Sequence, residues 1–172
     1  FNVLNTVYSL SLKKSDDLPK VVLTVSDLLR YITYDSEKNE VSAEKEIAYL
    51  NDYIKLQKLR LASESNVEFV VENNNPEAKI APMLLIPFFE NAFKHGVNTD
   101  GVVSISSSII VSKTDVFFRI INSKHSKNNW DEVHGVGFEN VKTRLNLLYG
   151  SKHSLEIFNT DTEYEVVLKL KL

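Results

Sequence analysis

The sequence contains no cysteine, which excludes disulfide bonds and thiolate metal sites and is typical of a reducing compartment. No apolar run approaches the roughly 20 residues that a bilayer-spanning helix needs, so we expect no direct membrane contact from this chain. The net charge is only −3 and the basic residues are spread along the sequence. Without a basic tract, nucleic acid is not an expected partner.

Two further absences concern the start of the chain. The sequence begins at Phe1 without an initiator methionine or a signal-like region, and its first residues are already apolar-periodic. No histidine precedes His95. We expect the sequence to be a fragment of a longer protein.

With 172 residues and 43% hydrophobic content, the chain can bury one core and carry a small helical appendage. The first 61 residues have a helical pattern with breaks at 15–17 and 35–40, and Ser42 is the predicted cap of the third helix. One apolar stripe runs along the second helix: Val22, Val25, Leu28, Leu29 and Ile32. Because such a stripe needs covering, it predicts a homodimer with a four-helix bundle.

After Asn66 the pattern changes to strands at 67–71, 103–111, 116–121, 154–158 and 163–172, with helices at 82–95 and 138–149. Between Val103 and Val111 apolar residues alternate with serines, which is typical of a strand with one buried face. The order of elements predicts an α+β fold in which one sheet is covered on one face by helices.

The segment Phe88–Gly96, FFENAFKHG, places polar residues in an otherwise apolar helix. Asn91, Lys94 and His95 lie at i, i+3 and i+4 and share one face. That face could simply meet solvent, with Gly96 as the C-terminal cap. Alternatively it lines a phosphate site: Asn91 would offer an oxygen to Mg²⁺, Lys94 a charge to phosphate, and Glu90 a base or polarising group.

A second segment, His134–Val141 or HGVGFENV, leads into a helix that carries Arg144. Gly135 and Gly137 would let the backbone approach a ligand, and a helix start offers free N–H groups to an anion. Glycines also turn and cap ordinary loops, so this motif alone is weak.

Together ENAFKHG and GVGFENVKTRLNLLYG resemble the asparagine box and second glycine box of the GHKL ATP-binding domain. Within that group the chain is most similar to LytS/YehU-type bacterial sensor histidine kinases. VSDLLRY at 25–31 and VSAEKEIAYLNDYIKLQKLR at 41–60 extend the likeness, and FNVLNTVYSL resembles the stretch just after that family's phosphoacceptor histidine. The resemblance covers almost the whole chain.

The resemblance implies a GHKL (Bergerat-type) α/β sandwich with a mixed sheet at 63–172, preceded by a partial dimerisation and phosphoacceptor region at 1–62. Asn91 matches the magnesium-binding asparagine and Glu90 the acidic residue next to it, and the resemblance implies that both take part in catalysis. The other matched positions surround the nucleotide: Lys94 and His95 on the phosphate side, the loop glycines Gly135 and Gly137, and the helix residues Asn140 and Arg144.

The implied activity is that of a protein histidine kinase with ATP and Mg²⁺ as cofactors. The γ-phosphoryl group of ATP would pass to a histidine outside this chain and then to a response regulator, of the LytTR type. This chain, without a histidine before His95, is not expected to autophosphorylate. The resemblance also places it on the cytoplasmic side of an inner-membrane-anchored bacterial protein.

The chain departs from the family pattern at the adenine position. Where the family has Asp-x-Gly-x-Gly, this sequence reads Asn122-Ser123-Lys124 without glycine. The amide oxygen of Asn122 can still accept a hydrogen bond from an adenine amino group, or the residue could simply end a strand in a turn. The loop 123–134 would form the lid, with Trp130 covering the nucleotide or anchoring the loop, and with His125 and His134 in solvent.

Two alternatives remain from the sequence. The chain could be a degenerate kinase-like scaffold that dimerises without turnover, or a GHKL ATPase that hydrolyses ATP. The segment 25–60 argues against the ATPase.

Overall fold

The computed structural model describes residues 2–12, 14–124 and 136–172. The α-helices are α1 (Asn2–Leu12), α2 (Leu18–Arg30), α3 (Ala43–Lys58), α4 (Ile86–Gly96) and α5 (Val136–Tyr149). A π-helical segment, Tyr31–Asp35, continues α2, and a 3₁₀ turn, Gly150–Lys152, follows α5. The strands are β1 (Val41–Ser42), β2 (Asn66–Asn73), β3 (Lys79–Ile80), β4 (Ser104–Val111), β5 (Asp115–Ser123), β6 (His153–Asn159) and β7 (Glu163–Lys171).

Five strands form one mixed sheet in the order β2-β4-β5-β7-β6. β2 and β4 are parallel, and the other neighbours are antiparallel. Helix α3 packs against β2, α4 against β4 and β5, and α5 against β6. The predicted α+β class, with a mixed sheet covered on one face by helices, is confirmed.

The alternating strand patterns place the core as expected. On β4, Ile105, Ile109 and Val111 are buried, while Ser104 and Ser106 are exposed. Because side chains of a strand alternate between its two faces, the apolar half of each central strand meets the helices. In this core the Phe89 ring of α4 contacts Phe69 of β2 and Phe118 of β5, with ring centroids 5.4 and 5.8 Å apart.

The helical start of the chain shares that core. Val21 and Leu28 of α2 and Leu50 of α3 belong to the same hydrophobic cluster as the sheet residue Ile105. Ser42 caps α3 as predicted, since its side chain accepts a hydrogen bond from the Lys45 amide. The division at residues 62 and 63 stays a prediction.

Three features differ from the expectation. Helix α4 begins at Ile86, not at residue 82, because Met83 has a left-handed backbone (φ 54°) and the helix starts only after it. The short antiparallel pair β1–β3 gives too little periodicity to predict. Gly96 is the last residue of α4 and not a left-handed cap; the cap is Val97, in an extended conformation.

Much of the predicted stripe on α2 is uncovered in the single chain. Leu28 is buried and Val25 half-buried, whereas Val22, Leu29 and Ile32 are exposed. Among the described residues, no helix is both long and apolar enough to cross a membrane.

Candidate functional site

Helix α4 separates an apolar inner face from a polar outer face. Phe88, Phe89 and Ala92 are buried against the sheet. The intervening polar residues follow the turn of the helix: Glu90 and Lys94 are exposed, and Asn91 and His95 are half-buried. Because large apolar side chains fix the inner face, the outer polar groups are held on a rigid element.

Electrostatics on this outer face favour neutral side chains. Although part of the Glu90 side chain is exposed, the neighbouring protein removes water from its carboxyl group and so raises its pKa above the ordinary value of a glutamate. Burial, and then the charge of Lys94, lower the pKa of His95. A carboxyl group with a raised pKa is suited to proton transfer, and the amide oxygen of the adjacent Asn91 is the type of ligand that a hard cation prefers.

Asn122 lies where the last turn of α4 approaches β5. It is buried, and its Nδ2 donates to the carbonyl oxygen of Ser123 at 3.0 Å. Among the described residues, no hydrogen bond to the other end of the Asn122 amide is found.

Helix α5 brings two more of the predicted residues to α4. Glu90, Asn140 and Arg144 line one groove of about 250 Å³, together with Met83, Leu84, Pro87 and Val141. Asn140 is exposed, and the half-buried Arg144 reaches the Met83 carbonyl oxygen at 3.5 Å. The groove places a carboxyl group, an amide and a guanidinium around one open space.

Lys94 faces a different groove, between α3 and α4. This groove has a volume of about 520 Å³, and Tyr53, Gln57, Arg60, Glu90 and Phe93 are among its other lining residues. Glu90 thus borders both grooves, whereas Lys94 and Arg144 lie on opposite sides of α4. A phosphate group that contacted both Lys94 and Arg144 would therefore have to reach across α4.

The glycine motif is only partly described. Gly137 lies in the first turn of α5 and not in the loop before it. Gly135, Trp130, His125 and His134 lie outside the described residues. The first turn of α5 still offers backbone N–H groups that have no acceptor within the helix.

Glu46, to which the sequence pattern assigns no role, is the one ionisable side chain among the largest fully buried residues that the structure describes. Its carboxylate accepts hydrogen bonds from the Tyr31 hydroxyl at 2.5 Å, the Met83 amide at 2.9 Å and the Leu85 amide at 3.2 Å. Burial raises the pKa of Glu46, while these hydrogen bonds act in the opposite direction. The available signal was a charged residue spaced three and four positions from Ala43 and Leu50 on an apolar stripe.

A magnesium ion fits the chemistry of the α4 residues. Mg²⁺ prefers oxygen ligands and usually keeps several waters and phosphate oxygens, so one or two protein oxygens suffice. Asn91 and the adjacent Glu90 supply such oxygens at an accessible surface.

Comparison with known proteins gives a consistent result. A family model described as histidine kinase matches residues 1–65. The chain is 27% identical over 170 residues to the sensor protein LytS of Staphylococcus saprophyticus, covering 91% of this chain and 29% of that protein. It is 23% identical over 176 residues to the sensor histidine kinase/phosphatase LytS of Staphylococcus aureus, covering 94% of this chain and 30% of that protein.

Solved structures share the fold. The histidine kinase domain of a blue-light activated kinase from Erythrobacter litoralis matches with a TM-score of 0.56 at 10% identity, covering 91% of this chain and 75% of that one. AdeS of Acinetobacter baumannii matches with a TM-score of 0.53 at 15% identity (95% and 83%). The catalytic domain of ThkA matches with a TM-score of 0.51 at 14% identity (77% and 94%).

The chain spans less than a third of the length of its LytS relatives. Its sequence matches nevertheless run through nearly all of its own length, and its fold is that of histidine kinase catalytic domains. The chain is therefore similar to LytS-type sensor histidine kinases in sequence and to histidine kinase catalytic domains in fold.

Proposed function

We propose that the chain is the ATP-binding catalytic core of a two-component sensor histidine kinase. It would bind ATP with Mg²⁺ and present the γ-phosphoryl group to a histidine outside this chain, from which the group passes to a response regulator. The observation that carries the proposal is the arrangement of Asn91 and Glu90 on the rigid outer face of α4, beside the groove that Asn140 and Arg144 line.

Each matched residue has a role in this proposal. Asn91 would bind Mg²⁺, whose charge stabilises the phosphate oxygens during transfer. Glu90 would act as base or polarising group next to it. Asn122 would accept from the adenine amino group through its amide oxygen.

The phosphate side would combine several weaker contributions. Arg144, in the groove towards α5, and Lys94, in the groove towards α3, would each neutralise charge on their own side of α4. His95 and Asn140 would donate or accept hydrogen bonds, and Gly135 and Gly137 would allow the backbone to approach. Since phosphoryl transfer needs mainly positioning and charge stabilisation, such a set of fixed polar groups is sufficient chemistry for the protein.

The partners follow from the surface and the family. The exposed apolar residues of α2, among them Leu23 and Leu29, support a homodimer in which this helix pairs with its copy. The downstream partner would be a response regulator of the LytTR type. The chain would lie on the cytoplasmic side of a membrane-anchored bacterial protein.

Calorimetric titration with a non-hydrolysable ATP analogue, with and without Mg²⁺, tests the proposal. We expect binding that depends on Mg²⁺ in the unsubstituted chain and its loss in Asn91→Ala. Asn51→Ala, which removes an asparagine side chain from α3 instead, should bind like the unsubstituted chain. Absence of Mg²⁺-dependent binding in the unsubstituted chain would favour the scaffold alternative.

A second measurement separates a kinase from an ATPase. The chain is mixed with ATP and a histidine-containing dimerisation segment of a LytS relative. Acid-labile, base-stable phosphate on that segment supports the kinase. Free phosphate without phosphoprotein supports the ATPase.

A further inference from the structure

Glu46 occupies a junction between three parts of the fold. It lies in the first turns of α3, yet its side chain has no solvent exposure. Burying a carboxylate without hydrogen-bond partners costs folding free energy. The donors that contact Glu46 are therefore held in positions that keep their hydrogen bonds to it.

On one side Glu46 holds the segment that leads into α4. One carboxylate oxygen accepts from the Met83 amide and the other from the Leu85 amide. Met83 has φ 54°, a conformation that residues other than glycine rarely adopt. Leu85 is the N-cap residue of α4, and its carbonyl oxygen accepts from the Phe88 amide. The carboxylate therefore fixes the start of the helix that carries Glu90 and Asn91.

On its other side Glu46 binds the end of α2. The Tyr31 hydroxyl donates to the same carboxylate oxygen that accepts from Met83. The Tyr31 ring is buried and stacks on Tyr49 with centroids 4.5 Å apart. Tyr31 begins the π-helical segment that continues α2. A movement of α2 would therefore displace the Tyr31 hydroxyl and change its hydrogen bond to the Glu46 carboxylate.

The segment before α4 is also held from α5. The Ala81 amide donates to the Tyr149 hydroxyl at 2.9 Å, and Arg144 reaches the Met83 carbonyl oxygen. Residues 81–85 thus touch α3 and α5 directly and α2 through Glu46. Both helices that border the proposed nucleotide groove meet at this segment.

We propose that Glu46 is a positioning residue that fixes the start of α4 relative to Tyr31, so that the position of α2 is passed on to Glu90 and Asn91. This inference rests on the proposed function, because its consequence is a change in nucleotide binding. Glu46 itself contacts no nucleotide; it acts through the backbone at Met83 and Leu85.

Two substitutions separate the two sides of the junction. Glu46→Gln keeps the size of the side chain but replaces one acceptor oxygen by a donor. Because one oxygen accepts from both Tyr31 and Met83 and the other from Leu85, at least one of these donors loses its acceptor. Tyr31→Phe removes only the link to α2 and leaves both backbone hydrogen bonds. Tyr49→Phe is the matched control, because it removes a hydroxyl from the other ring of the same stack, and no hydrogen bond joins Tyr49 to Glu46 among the described residues.

The readouts are the affinity for the Mg²⁺-bound ATP analogue and the amide hydrogen exchange of residues 31–35, 83 and 85, with and without nucleotide. We expect Glu46→Gln to weaken nucleotide binding about five-fold or more and to speed exchange at 83 and 85. Tyr31→Phe should retain binding but lose the nucleotide-dependent change in exchange at 31–35. Tyr49→Phe should keep both.

The inference is overturned if Glu46→Gln binds nucleotide like the unsubstituted chain, or if 31–35 respond to nucleotide in Tyr31→Phe as they do in Tyr49→Phe. Should Glu46→Gln not fold, the comparison of Tyr31→Phe with Tyr49→Phe decides alone. Binding in the unsubstituted chain is measured first. Its absence refutes the proposed function, and this inference with it, whereas binding that Glu46→Gln leaves unchanged refutes the inference alone.

Discussion

Gly96, the last residue of α4, lies directly against the side chain of Asn122 on β5. A Cβ atom at residue 96 would stand 3.1 Å from Nδ2 of Asn122 and 3.1 Å from Cγ2 of Val103. These distances are shorter than ordinary van der Waals contacts, so a side chain at residue 96 would require Asn122 or Val103 to shift by a few tenths of an ångström. The contact joins the helix of Asn91 to the strand end that the proposal assigns to adenine.

Gly96→Ala should therefore disturb both stability and nucleotide binding. Alanine favours a helix by about 1 kcal/mol over glycine, but overpacking a core costs about 1–3 kcal/mol, so we expect a net loss of about 1 kcal/mol. Urea unfolding measures the change, and calorimetry should show weaker binding because Asn122 is displaced. In a Val103→Ala background the loss should shrink; an equal loss would mean that the contact with Val103 is not responsible.

Asn122→Asp places the usual family residue at the adenine position but should destabilise the free chain. The carboxylate would lose the hydrogen bond to the Ser123 carbonyl oxygen and be buried facing it. Loss of such a buried hydrogen bond, together with the unfavourable contact, costs about 1–3 kcal/mol or more. Thermal unfolding should show this loss, and added nucleotide should recover more stability than in the unsubstituted chain, because a charged acceptor binds the adenine amino group more strongly.

The control for this change is Asn159→Asp on β6, which is separated from β5 by β7. That side chain is exposed and accepts from the Lys124 ammonium group at 2.8 Å, so an added charge should leave stability almost unchanged. Equal destabilisation by both substitutions would contradict the explanation from burial.

Features that depend on residues close in sequence can be predicted from the sequence, whereas features that depend on distant residues cannot. The buried face of β4 and the cap at Ser42 depend on residues close in sequence, and both were predicted. The start of α4 was placed too early because it depends on Glu46, whose bonds to Met83 and Leu85 span 37 and 39 residues. A local pattern contains no information about such a partner.

The candidate site likewise has features that local spacing predicts and features that only packing between distant elements decides. The spacing of Asn91, Lys94 and His95 gave their shared side of the helix, but only packing decides which groove each borders. Lys94 borders the groove towards α3, while Glu90 also borders the one towards α5. The close approach of Gly96 and Asn122 likewise depends on how α4 lies across β5.

Substitution of the exposed apolar residues of α2 tests the proposed homodimer. Leu29 is 57% exposed in the single chain, and burying a leucine contributes about 1.5–3 kcal/mol. Leu29→Lys should therefore shift the chain from dimer towards monomer in sedimentation equilibrium. Leu147→Lys on α5, where the leucine is 79% exposed, should leave the dimer intact, and a dimer that survives Leu29→Lys would exclude this part of α2 from the interface.

The raised pKa of Glu46 predicts a pH dependence of stability with a definite sign. Because burial raises the pKa in the folded state, the folded chain holds a proton that the unfolded chain has already released. The contribution of this group is complete below the ordinary pKa of a glutamate and is lost as the pH rises through the higher folded-state value. Tyr31, Tyr49 and Tyr149 are the titratable groups coupled to Glu46, and burial also raises their pKa values, so they stay neutral throughout this range.

Urea unfolding at a series of pH values measures this contribution. We expect the free energy of unfolding of the unsubstituted chain to decline with rising pH across the window above the ordinary glutamate pKa, relative to that of Glu46→Gln, which cannot ionise. Glu77→Gln, at an exposed position, should reproduce the slope of the unsubstituted chain. Parallel curves for Glu46→Gln and Glu77→Gln would mean that the three hydrogen bonds to Glu46 offset its burial, so that the group ionises at the same pH in the folded and the unfolded chain.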